Sequence, residues 1–236
     1  MRSLKLILPL IVLLLAGGVY VFMHTNAAPK KEASGKHHML LLGASVGDAW
    51  DLAHWADRTK NSSYIFESVA VYAFDKTEAL QEILMRPRRK FRISRSYLKG
   101  LLNGPPQKPV SIIIKECAAY FPGDLEKYKA LIKQWISMCK EAGVKPIIAT
   151  VVPVTIEHDA KRTGRLQGIL AYNDWVRAYT KENSLECFDL ESVLRISENH
   201  RALRPELTSG DGLHLNAAAY NLLDAFLELE APRLID

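Results

Sequence analysis

"HMLLLGASVGD", residues 38–48, decides how this chain reads. The run from His38 to Gly43 is apolar, unbroken and short. It lacks the length of a core helix and the alternation of a half-exposed strand. It reads as a strand covered on both faces, closed by Gly43. Such strands belong to parallel sheets, and parallel strands need helical crossovers between them. One serine, Ser45, stands just beyond the strand's end, which is the rim where open α/β sheets bind their ligands.

Working outward, the expected alternation appears. "YIFESVAVYAF" (64–74), "PVSIIIKE" (109–116), "KPIIATVVPV" (145–154) and "LECFDL" (185–190) read as further strands. Between and after them lie amphipathic helices over 124–143, 164–183 and 216–234. In the first, Leu125, Tyr128, Leu131, Ile132, Trp135, Ile136 and Met138 recur at helical spacing, and Gly143 supplies a C-terminal cap. The predicted fold class is α/β, a three-layer α/β/α sandwich around a five-stranded parallel sheet of flavodoxin-like type.

The chain has 236 residues, 48% hydrophobic and 24% charged, with a net charge of +5. That supports one compact domain and excludes a disordered chain. The N-terminus differs from the rest. Arg2 and Lys5 precede Leu6–Met23, 18 residues without a charge. This pattern predicts export, with residues 1–28 as a signal peptide or an uncleaved signal-anchor. Residues 29–37 form a polar tether and 38–236 the folded domain. The expected location is the periplasmic side of the cytoplasmic membrane, anchored or secreted, with the N-terminal segment as the membrane contact.

Cys117, Cys139 and Cys187 show neither CxxC spacing nor a histidine cluster, so no metal site is expected; outside the cytoplasm one pair could bridge and leave one free, and the favoured reading is ordinary buried thiols. The stretch "RPRRKFRISRSYLK" (86–99) holds seven basic residues and no acid. Export argues against nucleic acid as its partner. A solvated face or a contact with anionic lipid or glycan remain the readings.

A second polar motif, "GDGLHLN" (210–216), stands 166 residues after Ser45 at Asp211 and just before the last helix. Asp211 and His214 on one short loop can supply an orienting carboxylate and a base, which a serine nucleophile requires. Each residue has a plainer reading. Ser45 could cap the next helix, Asp211 could hold a turn, and His214 could be a surface imidazole. Their joint occurrence in an α/β chain favours chemistry.

With those motifs in hand, the chain resembles the SGNH/GDSL hydrolases over about residues 38–230. "LLLGASVGD" is similar to the family's first block, with Ser45 as nucleophile. "DGLHLNAAAYNLL" is similar to its last, with Asp211 and His214 completing a triad. The resemblance implies an exported serine hydrolase cleaving short O-acyl esters, on a small ester or an acylated glycan, without a cofactor. A degraded relative that binds glycan or a partner, or an O-acyltransferase using the same triad, are the alternatives. Two departures stand out. Ala44 precedes the serine where the family has Asp. "KECAA" (115–119) replaces Gly-x-Asn-Asp, placing Lys115 at the glycine and Cys117 at the oxyanion-binding asparagine, and the second-block glycine is missing around "VYAFDKTEAL". The implied oxyanion hole is the Ser45 N–H, with Lys115 and Cys117 as the other candidates. A lost donor costs roughly 10²–10³ in turnover. Lys115 could instead be a solvated strand-end lysine. "GASVG" also fits a nucleophile elbow, but only one strand precedes it and no oxyanion motif lies upstream.

Overall fold

A computed structural model describes residues 37–87 and 107–235. The leader, nearly all of the tether, and residues 88–99 of the basic stretch lie outside the described residues. Among the described residues no helix is long and apolar enough to cross a membrane.

Five strands form one parallel sheet: β1 (His37–Gly43), β2 (Tyr64–Ala70), β3 (Ser111–Ile114), β4 (Lys145–Ala149) and β5 (Glu186–Phe188). Their order is β2-β1-β3-β4-β5. The order reverses at β1, and in open α/β sheets such a switch point marks the ligand crevice, here beyond the carboxyl ends of β1 and β3. Gly43 pairs with Ala70 on one side, and Leu42 with Ile114 on the other. Ser45 follows β1, and Cys117 follows β3, so both stand at that crevice.

The sheet is covered on both faces, as its apolar strands demand. Side chains of alternate parity face opposite ways. Met39, Leu41, Ile113, Ile147 and Phe188 pack against Val46, Trp50, Trp55, Leu223 and Leu227. These come from α1 (Ser45–Ala49) and the turn after it, α2 (Trp55–Thr59) and the last helix, α8 (Ala217–Ile235). Leu40, Leu42, Ile112, Ile114 and Ile148 pack the other way, against Leu80, Ile132, Trp135, Ile169 and Tyr172. Those belong to α3 (Thr77–Met85), α4 (Leu125–Glu141) and α6 (Arg165–Glu182). Each fully buried aliphatic side chain contributes about 1.5–3 kcal/mol.

The three long helices lie where their periodicity places them. Asp124 caps α4 by accepting from the Lys127 N–H, and Gly143 takes φ +65 just past its end. The strands are shorter than their apolar runs. Val71–Phe74, Lys115–Glu116 and Thr150–Val154 are extended in composition yet leave the sheet. Lys115–Glu116 and Thr150–Val154 stay buried as loops at the carboxyl rim, while Val71–Phe74 is half-buried to exposed, so hydrophobicity alone overran the strand ends. Short helices without a strong apolar stripe, α5 (Ile156–Lys161) and α7 (Leu190–Leu194), complete the chain. Cys117, Cys139 and Cys187 are all free.

Candidate active site

Ser45 is the first residue of α1, and Ala44 occupies the cap position with no side-chain cap bond. The capping role open to Ser45 is thereby corrected, because the residue sits one position inside the helix. Its Oγ lies 3.8 Å from Cys117 Sγ, across the crevice on the β3 side. Gly47 lets α1 lie tight on β1, since a Cβ there would come 2.6 Å from Leu41 Cδ2.

Asp211 and His214 form a built pair. His214 Nδ1 lies 2.5 Å from Asp211 Oδ2, while Oδ1 accepts the Leu213 and His214 backbone N–H groups, both at 2.8 Å. Partial burial would raise the Asp211 pKa, but these N–H donors and the His214 ring outweigh it and hold the carboxyl down at about 2. An ionised carboxylate only accepts, so the proton at the contact belongs to Nδ1. In the neutral ring that assignment leaves Nε2 as the acceptor, as a general base requires. Gly210 and Gly212 bend this loop at φ +108 and +75. At Gly212 a side chain is also barred by space, with Thr155 Oγ1 only 2.5 Å from a built Cβ.

Two connections bring this loop toward Ser45. The Asn216 side chain accepts the Ala219 N–H at 3.1 Å and so caps α8 directly after the loop. One turn into α8, the Tyr220 hydroxyl donates to the carbonyl of Val46, next to Ser45, at 3.4 Å. Further along, Asp224 accepts from Trp50 Nε1 at 2.8 Å and from Arg58 Nε at 2.7 Å. The helix that follows the Asp–His loop is thus bonded to the helix that begins with the serine.

Beside Cys117 lies a buried ionic cluster. Lys115 is 1% exposed, and its Nζ donates to the Glu116 carbonyl at 3.0 Å. This corrects the reading of a solvated strand-end lysine: β3 ends beneath the covering loops. Burial pushes the Lys115 amine down to about 8. Glu116 is fully buried, and its Oε2 accepts from Lys76 Nζ at 2.6 Å. Lys76 also donates to the Ala73 and Phe74 carbonyls and lies over the rings of Phe74, Tyr120 and Trp135. Burial raises the Glu116 carboxyl to about 7 even against Lys76. Tyr72, well exposed after β2, donates its hydroxyl to Asp48 at 2.8 Å.

By sequence the chain matches no protein-family profile and no curated protein. By structure the likeness is extensive. A proposed acylhydrolase from Bacteroides fragilis superposes with a TM-score of 0.61 at 18% identity, over 92% of this chain and 96% of the other. A GDSL-like lipase from Bacteroides thetaiotaomicron gives 0.60 at 18% identity, over 91% and 97%. The aryl esterase of Mycobacterium smegmatis gives 0.57 at 13% identity, over 84% and 99%. The fold is that of the SGNH/GDSL hydrolases.

Within this fold, Ser45 follows β1, Cys117 follows β3 and the Asp–His loop precedes the last helix. Sequence reasoning missed His158, Arg165 and the Lys76–Glu116 pair. His158 Nδ1 contacts the Asp211 carbonyl at 2.9 Å, and Arg165 Nη1 contacts His158 Nε2 at 2.7 Å. The helix bearing His158 buries no side chain, so periodicity could not reveal it. The only local signal was Thr155, which caps that helix by accepting the His158 N–H at 3.2 Å.

Proposed function

We propose that the protein is a serine ester hydrolase. The observation that carries this reading is the Asp211–His214 pair, with its Nδ1–H committed to the carboxylate, on a loop bonded through α8 to the helix that Ser45 opens. Ser45 Oγ attacks the acyl carbon while His214 Nε2 takes its proton. The ester's C–O bond then breaks, and the imidazolium returns the proton to the departing alkoxide, leaving an acyl-serine. Water attacks that ester in turn, with His214 again base and then acid, and the carboxylic acid leaves. Asp211 stays ionised and keeps the ring oriented. The fold-mates described as lipase, acylhydrolase and aryl esterase support ester chemistry.

The oxyanion hole consists of the Ser45 N–H and the Cys117 side. Cys117 stands against Ser45 Oγ, where the family's asparagine is expected, and a thiol is a weak donor. Lys115, buried and bonded to a carbonyl, contributes charge from behind rather than a direct bond. The substrate is a short O-acyl ester, small or carried on a glycan. The uncharged run Leu6–Met23 supports export, with the domain tethered to or released from the membrane.

The test is hydrolysis of p-nitrophenyl acetate by the purified protein beside Ser45→Ala and His214→Ala. Slow but saturable turnover, lost in both variants, is expected. A folded wild-type protein without turnover would favour the degraded, binding reading of the same cleft.

A further inference from the structure

We propose that His158 and Arg165 form a relay that positions the Asp211–His214 loop, and that this relay links the two halves of the candidate active site. The proposal rests on the triad reading above.

The tautomer of His158 follows from its partners. Arg165 has no acceptor, so its Nη1 must donate to His158 Nε2 at 2.7 Å. Nε2 is therefore unprotonated. The proton sits on Nδ1, which lies 2.9 Å from the Asp211 carbonyl, a group that can only accept. His158 is thus a neutral imidazole that donates to the backbone of the triad carboxylate. The same guanidinium donates through Nε to the Phe121 carbonyl at 2.9 Å. Phe121 ends the short helical turn Ala118–Tyr120 that begins right after Cys117. Arg165 therefore bonds the segment that carries Cys117 and, through His158, the segment that carries Asp211.

The base of the relay is firm. Thr155 N–H donates to the Gly212 carbonyl at 3.0 Å, and Leu203 N–H to that of Val154 at 3.0 Å. Asn173, buried in α6, brackets Val151 by accepting its N–H and donating to its carbonyl. Gly212 pressed on Thr155 and His158 leaves the loop little room, a Cβ there coming 2.9 Å from His158 Cβ. His158 supplies the remaining contact, the one that reaches Asp211 itself. A shift of about 1 Å in a reacting group can cost on the order of 10²-fold in rate.

His158→Ala removes both contacts, whereas His158→Asn keeps an N–H donor at nearly the Nδ1 position. Both should melt within a few degrees of wild type, since His158 is half-buried on a helix that buries nothing. On p-nitrophenyl acetate, kcat should fall about 10- to 100-fold in His158→Ala, with KM little changed. His158→Asn should recover most of it. A second readout needs no turnover: the low-field proton resonance of His214 Nδ1–H, identified by its loss in His214→Ala, should shift or broaden in His158→Ala and return in His158→Asn. Wild-type kcat and resonance in His158→Ala would overturn the relay. So would an Asn variant as impaired as the Ala variant, because the donor to Asp211 would not then be what matters. Turnover surviving in Ser45→Ala would instead overturn the triad reading, and the resonance alone would then judge the relay.

Discussion

In the proposed reading Cys117 stands where the resemblance implies an oxyanion-binding asparagine. Its Sγ stands 3.8 Å from Ser45 Oγ, so the position faces the proposed nucleophile, but the thiol donates weakly. Cys117→Asn should raise kcat by about 10-fold or more and leave KM nearly constant, since the new bond forms mainly in the transition state. Steady-state kinetics on p-nitrophenyl acetate checks this; a flat or lower kcat in a folded variant would show that another donor already serves. Asp211→Asn should lower kcat on the order of 10⁴-fold, because an amide can present its N–H to the ring and reverse the tautomer. Acid sensitivity follows a definite sign. The Asp211 pKa is depressed from 3.8 to about 2, so its contribution is present above 3.8 and is lost only as pH falls through 2. The acid limb of the rate should therefore not report this carboxylate. The Asp211–His214 contact was legible because the two residues stand three apart on one short loop. His158 and Arg165 were not, since a histidine on an exposed helical turn looks the same whether it faces water or a backbone carbonyl.

Between elements, the decisive contact is α8 on the segment after β1. Asp224 is buried and accepts from Trp50 and from two nitrogens of Arg58. Asp224→Ala would strand the Trp50 N–H in the core and leave Arg58 without its partner, at a cost of about 3 kcal/mol. Chemical denaturation should show that loss, and kcat should fall with it, because α8 carries the Asp–His loop toward Ser45. The Lys76–Glu116 pair joins the loop after β2 to the end of β3 in the same way. The long helices were legible from periodicity, and the strands from their apolar runs. Strand ends were not, because Lys115, Glu116 and Val151–Val154 stay buried after the ladder stops. Nor was a Lys–Glu pair 40 positions apart, which only the assembled sheet brings within 2.6 Å.

Over the whole molecule, pH acts on the core through Glu116. Its folded pKa is raised from 4.5 to about 7, so the native state binds the proton more tightly than the unfolded chain. Stability should rise as pH falls from 7 toward 4.5, and Glu116→Gln should flatten that part of a Tm–pH profile. A profile unchanged by the substitution would mean that Lys76 keeps the carboxyl ionised throughout. The proposed function turns on one atom, Ser45 Oγ. The most direct test is therefore labelling of the native protein with a fluorophosphonate probe, followed by mass spectrometry of the adduct. A single adduct on Ser45, abolished in Ser45→Ala and strongly slowed in His214→Ala, is the predicted result. An adduct that persists in Ser45→Ala, or a folded wild-type protein that takes up no probe at all, would contradict the account.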